Sequence, residues 1–174
     1  MKRLLVLLVF AAAAISMQGQ KLRFICQGCK VTKEEKRDIL VMARHEMDFY
    51  RTISQVKTVP VISMRIYGNH KSFMASQHSS PRYGRSESGY YDHKRKEVCV
   101  YRDSNFVHTC FHEVSHATIA TQCEHFPVWL NEGLAEYFEF SRVDTSGHVT
   151  AYAPKTYPEW MKRFVTSPGG MHTA

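Results

Sequence analysis

An α+β fold is what this sequence predicts, a small, mostly antiparallel sheet packed against helices. Three observations lead there. Short runs rich in β-branched and aromatic residues are bounded by turn residues, apolar residues recur at helical spacing between them, and two consecutive helical segments between His108 and Phe140 carry clustered His and Glu.

Taken in order, Leu22 to Cys26 reads as a strand, and Thr32-Lys33-Glu34-Glu35 as a capping box that satisfies the free amides opening a helix. Ile39, Met42, Ala43, Met47 and Tyr50 continue that helix to about Ile53. Val59 to Tyr67 is a second strand, broken by Gly68-Asn69 before a short helix from Lys71 to Ser76. Gln77 to Ser88 is polar and reads as a mobile loop. Gly89-Tyr90-Tyr91 and Glu97 to Tyr101 flank a charged turn and form a hairpin, in which Tyr90 and Tyr91 point to opposite faces. Asp103 or Ser104 then caps a helix from about Asn105 to Thr121, and Pro127 suits the first turn of another running to Phe140, with Trp129 and Leu130 in the core.

The opening MKRLLVLLVFAAAAISMQGQ joins a basic start at Lys2 and Arg3 to an apolar run from Leu4 to Ile15 and small or polar residues after it. That is the pattern of a secretory signal peptide over residues 1–19, with cleavage expected after Ser16 or Gly19. Its apolar run falls short of the roughly 20 residues that span a bilayer. The mature chain is therefore expected to be exported, periplasmic or extracellular, with no stable membrane insertion. Removing nineteen of 174 residues leaves 20–174, the size of one ordinary domain, with a shortened part after Phe140. The net charge of +7 falls to +5 with the leader. The basic residues are scattered except for His93 to Lys96, a solvated turn, so no nucleic-acid partner is expected.

Export makes disulfides permissible, and all five cysteines lie in the mature part. The odd number leaves at least one unpaired. No thioredoxin-like pattern surrounds Cys26 and Cys29, which favours a local disulfide or a pair of buried thiols over redox catalysis. Cys110 and Cys123 would stand about 20 Å apart on a continuous helix, beyond disulfide reach. Cys99 with Cys110 is geometrically easier.

The central motif is His112-Glu113-Val114-Ser115-His116. Helical positions four apart project from one face, so both imidazoles can grip one ion while Glu113, rotated by about 100°, reaches beside it as a general base. Five residues are short enough to arise by chance. Support comes from Trp129 to Tyr137 on the next helix, because a catalytic zinc takes three protein ligands and Glu132 completes a set of two His and one Glu. Gly133 would let the two helices approach closely, while Leu130, Leu134 and Tyr137 pack underneath. Asn131 is placed to orient one metal-bound histidine. His125 is the rival third ligand. His108 lies about 12 Å along the helix from His116 and cannot share its ion.

HEVSH followed by PVWLNEGLAEYFE resembles the gluzincin metallopeptidases, particularly small peptidase-MA-like proteins, over His108 to Phe140. The resemblance implies a zincin-type fold, zinc as cofactor, a peptide or protein as substrate, and Glu132 as the ligand of the NEG segment. It also implies that Glu136, one turn beyond Glu132, orients a metal-bound imidazole. A metzincin is excluded, since Ile119 and Gln122 stand where that pattern demands Gly and His. Tyr152, Tyr157 and His148 follow the ligand helix and are the candidates for a donor to the oxyanion. The alternative is a binding or interaction protein that retains the zinc site without catalysis. Glu113 argues for the enzyme, because a purely structural site needs no base.

Overall fold

The computed structural model describes residues 21–54, 61–77, 85–122 and 126–152. The leader, Cys123, His125, Tyr157 and the tail beyond 152 lie outside them, together with the expectations attached to them. Among the described residues the order is β1 (Lys21–Gln27), α1 (Lys33–Ser54), β2 (Val61–Tyr67), α2 (His70–Ser76), β3 (Gly89–Asp92), β4 (Glu97–Tyr101), α3 (Phe106–Gln122), α4 (Val128–Glu139), β5 (Ser141–Val143) and β6 (Val149–Ala151).

The α+β class stands, but the pairing in the larger sheet differs from the expectation. Its strand order is β1-β2-β4-β3, with β1 parallel to β2 and β2 parallel to β4; only β3 and β4 run antiparallel, as a hairpin. The reason lies in the connections. Parallel neighbours need a crossover of a dozen or more residues, and α1 provides one of 22 between β1 and β2. The second sheet is a short antiparallel pair of β5 and β6, which three-residue strands left invisible to pattern reading.

Local signals set most of the boundaries. At α1 the capping box closes in both directions: the Glu35 amide donates to Thr32 Oγ1 at 3.1 Å, and the Thr32 amide to Glu35 Oε2 at 2.7 Å. Asn69 Oδ1 accepts the Ser72 amide at 3.0 Å and so starts α2. In the β3–β4 turn, Asp92 Oδ1 accepts the amides of Lys94 and Arg95, as a solvated hairpin turn requires. The ends of the polar loop after α2 are clasped by Gln77, whose side chain both accepts from and donates to the Ser86 backbone.

Side-chain alternation divides the sheet between two cores. Ile62, Met64, Ile66, Val98 and Val100 face α1 and α3 in the main core, where Ile39, Met42, Phe106, Phe111, Val114 and Phe138 are also buried. On the opposite face Tyr67 and Cys99 pack with Phe73 of α2 and with Tyr90. Tyr91 joins the main core, so the two adjacent tyrosines divide between the faces as the strand period requires. Helix α3 is enclosed by α1, α4 and the β3–β4 hairpin, which is why ten of its 17 residues are buried. Chemistry on α3 is thus held by a scaffold on several sides.

Candidate metal centre

His112 and His116 leave α3 from one face and bring their Nε2 atoms within 3.0 Å of each other. From α4, Glu132 Oε2 reaches to 3.5 Å from His116 Nε2 and 3.7 Å from His112 Nε2. Among the described residues this is the one group of three or more His, Cys, Asp or Glu whose donor atoms converge. Tetrahedral ligands bonded at about 2.0–2.1 Å stand about 3.3 Å apart. The three separations bracket that value, so the donor set fits a zinc ion.

The back of each ring strengthens the fit. His112 Nδ1 lies 2.8 Å from Glu139 Oε2, and His116 Nδ1 lies 3.0 Å from Asn131 Oδ1. Oxygen acceptors at both positions place the ring protons on Nδ1, leaving the two Nε2 lone pairs facing each other. A cation between them relieves that opposition. Burial, then the neighbouring His112, hold the His116 pKa below its ordinary value despite the hydrogen bond to Asn131, which keeps the ring neutral and able to ligate. Burial acts the same way on His112, but the Glu139 hydrogen bond and the charges of Glu113, Glu139 and Glu132 outweigh it and raise its pKa. Glu132 itself is 52% exposed, so the ligand triangle opens toward solvent on the α4 side.

Glu113 is buried beneath the rings. Burial, with the charges of Glu132 and Glu139, pushes its pKa up to about 8 against the opposing pull of His112. It is wedged against β3: a Cβ on Gly89 would stand 2.6 Å from Thr109 Cγ2 and 2.9 Å from Glu113 Cγ. Only glycine leaves room there, and the edge strand thereby runs directly past the carboxyl group. Sequence reading missed Gly89, although a glycine opening a strand is a known mark of close backbone approach.

Several expectations need correction. Glu136 is not the carboxylate on His112; that place is taken by Glu139. Helix geometry gives the reason, since seven residues bring Glu139 within about 20° of the Glu132 direction, whereas four carry Glu136 about 40° past it. Gly133 does not mediate close packing, for nothing lies within 4 Å of where its Cβ would stand. The contact with the core is made instead by Leu134, Ala135 and Phe138, with Leu130 and Tyr137 partly buried beside them. That orientation turns Trp129 outward at 75% exposure, not into the core.

Other residues fall where their contacts take them. Asn131 Oδ1 lies within hydrogen-bonding distance of His116 Nδ1, at 3.0 Å. His108 joins no cluster of metal-binding side chains among the described residues and ties α3 to the end of α4 through Nδ1 and the Glu139 carbonyl, 2.7 Å apart. Tyr152 packs under the Arg142 guanidinium, and His148 lines a groove with Arg44, His45 and Asp48 of α1, so among the described residues both candidate oxyanion donors make these contacts away from the metal centre. His93 of the β3–β4 turn rests against Tyr91 and stands near enough to His116 for its charge to act there.

Comparison with family models, characterised proteins and solved structures finds no match.

Proposed function

We propose that this chain is a zinc-dependent peptidase of the gluzincin type, with His112, His116 and Glu132 as metal ligands and Glu113 as general base. The observation that carries the reading is the convergence of two Nε2 atoms and one carboxylate oxygen at 3.0–3.7 Å, with both Nδ1 atoms tied to oxygen acceptors.

A zinc ion held by these three residues supplies Lewis acidity, lowering the pKa of water and polarising a carbonyl. Glu113 accepts the proton of the attacking water and hands it to the leaving amine. Its raised pKa suits this exchange, and a dication beside it would draw the value down toward the carboxylate form. Glu139 and Asn131 fix the imidazole planes, which keeps the ligand lone pairs aimed at one point. The outer edge of β3, unpaired among the described strands and held against Glu113 by Gly89, offers main-chain hydrogen bonds to an extended peptide. No described helix is long and apolar enough to cross a membrane; export of the mature chain belongs to this proposal and rests on the N-terminal sequence.

The test is cleavage of a diverse peptide mixture by zinc-loaded protein, with and without chelator. Chelator-sensitive hydrolysis restored by zinc is expected. Zinc-loaded, folded protein that cuts nothing in the mixture would favour the idle binding protein.

A further inference from the structure

Outside the metal centre, the chemistry-bearing feature with the most structure around it is the Cys26–Cys29 pair. Cys26 is the penultimate residue of β1 and is exposed, while Cys29 lies half-buried just beyond the strand. The chain bends at Gly28, whose φ of +70° is open to glycine and strained for other residues. The bend at Gly28 lies between the two cysteines, whose thiols are hydrogen-bond neighbours, as the short span that a disulfide bridges requires.

The surroundings hold this bend in place. The Gly68 amide donates to the Gln27 carbonyl at 2.8 Å. A Cβ on Gly68 would lie 2.2 Å from the Gly28 carbonyl oxygen and 2.9 Å from Cys29 Cβ, so the end of β2 is shaped to receive the bend. Cys29 Sγ donates to the Ile66 carbonyl at 3.4 Å. Burial, then the charge of Cys26, raises the Cys29 thiol above its ordinary value, with the Gln27 backbone and Arg102 pulling the other way. The other described cysteines are placed differently. Cys99 and Cys110 are fully buried on opposite sides of β4, and burial pushes Cys99 up to about 11.

We propose that Cys26 and Cys29 form a reversible dithiol–disulfide couple that exchanges with small-molecule disulfides, the exposed Cys26 reacting first and Cys29 resolving. The Cys26 thiolate attacks one sulfur of the oxidant's disulfide and expels a thiolate, leaving a mixed disulfide. Cys29, losing its proton, then attacks Cys26 Sγ and expels the second thiolate. Two protein thiols are oxidised to one disulfide while one small disulfide is reduced to two thiols. The couple is independent of the peptidase reading, since neither cysteine takes part in the metal centre.

The full chain, purified reduced, is equilibrated in glutathione buffers of rising oxidised-to-reduced ratio, acid-quenched, alkylated and mapped by mass spectrometry. The expected result is loss of two hydrogens confined to the Cys26–Cys29 peptide, reversed at low ratio. Cys29→Ser should instead accumulate a glutathione adduct on Cys26 at ratios where the parent shows none. Independent alkylation of Cys26 and Cys29 at every ratio overturns the proposal, as does a Cys26 bond to another cysteine. Mapping of the parent decides the matter even if the serine variant fails to fold.

Discussion

Helix α3 buries polar groups on two faces and treats them in opposite ways. Toward α4, His112 and His116 each have Nδ1 matched to an oxygen, and both Nε2 atoms converge with Glu132. Toward α1, Ser115 shares a 2.6 Å hydrogen bond with Tyr50, and one turn before Tyr50 sits Glu46, fully buried with no hydrogen-bond partner among the described residues for either carboxyl oxygen. The first arrangement is wired so that protons and lone pairs have defined places. The second is a carboxyl group that the core tolerates by keeping it neutral, since burial alone drives its pKa well above the ordinary carboxylate value. Two buried glutamates on neighbouring helices are therefore different objects: Glu113 has charges around it and an edge strand against it, whereas burial is the one influence that shifts Glu46.

The largest effect that separates them is on turnover. Glu113→Gln should lower peptide hydrolysis by roughly 10²–10⁴-fold, the usual worth of a general base, with zinc content retained. Glu46→Gln should leave turnover within a small factor of the parent. Equal losses from both substitutions would erase the distinction.

Next in size is the wiring of the rings. Glu139→Ala should weaken zinc affinity or activity by about 10–100-fold, because His112 loses the acceptor that orients it. Glu136→Ala should cost clearly less. Zinc affinities of both variants, measured at one pH, check the order, and a larger loss from Glu136 would return the orienting role to that residue.

These two carboxylates also show how far the sequence reaches. The capping box, the α3 motif and the Glu132 helix were legible because each depends on local spacing: His112 and His116 share a face whatever surrounds them. Asn131 was legible for the same reason. Glu139 was not, since the angle at which α4 crosses α3 decides which acidic residue meets His112, and that angle is set by Leu134, Ala135 and Phe138 seating in the core. Trp129 and Gly133 were misread on the same account, their type suggesting packing and the helix rotation placing them away from it. Gly89 is a long-range matter too, visible only once β3 lies against α3. The parallel strands needed knowledge that β4 inserts between β2 and β3, which no pattern along the chain encodes.

A smaller effect belongs to Glu46. With its folded pKa raised, the native state holds a proton that the unfolded chain has released, so stability is fullest below the unfolded carboxylate value and falls as pH rises toward the folded one. The slope approaches about 1.4 kcal/mol per pH unit within that window. Glu46→Leu should remove this contribution and raise stability near neutral pH by roughly 1–3 kcal/mol, the cost of an unpaired buried polar group. Denaturant unfolding of parent and variant at several pH values checks it; parallel stability curves would mean that Glu46 is paired or solvated after all.

The most direct test of the central claim is the metal content of purified mature protein after zinc supplementation and removal of free metal. About one zinc per chain is expected, reduced severely by His112→Ala and by Glu132→Ala in protein that remains folded. Protein that is folded yet binds no zinc, or binds it undiminished after Glu132→Ala, would contradict it.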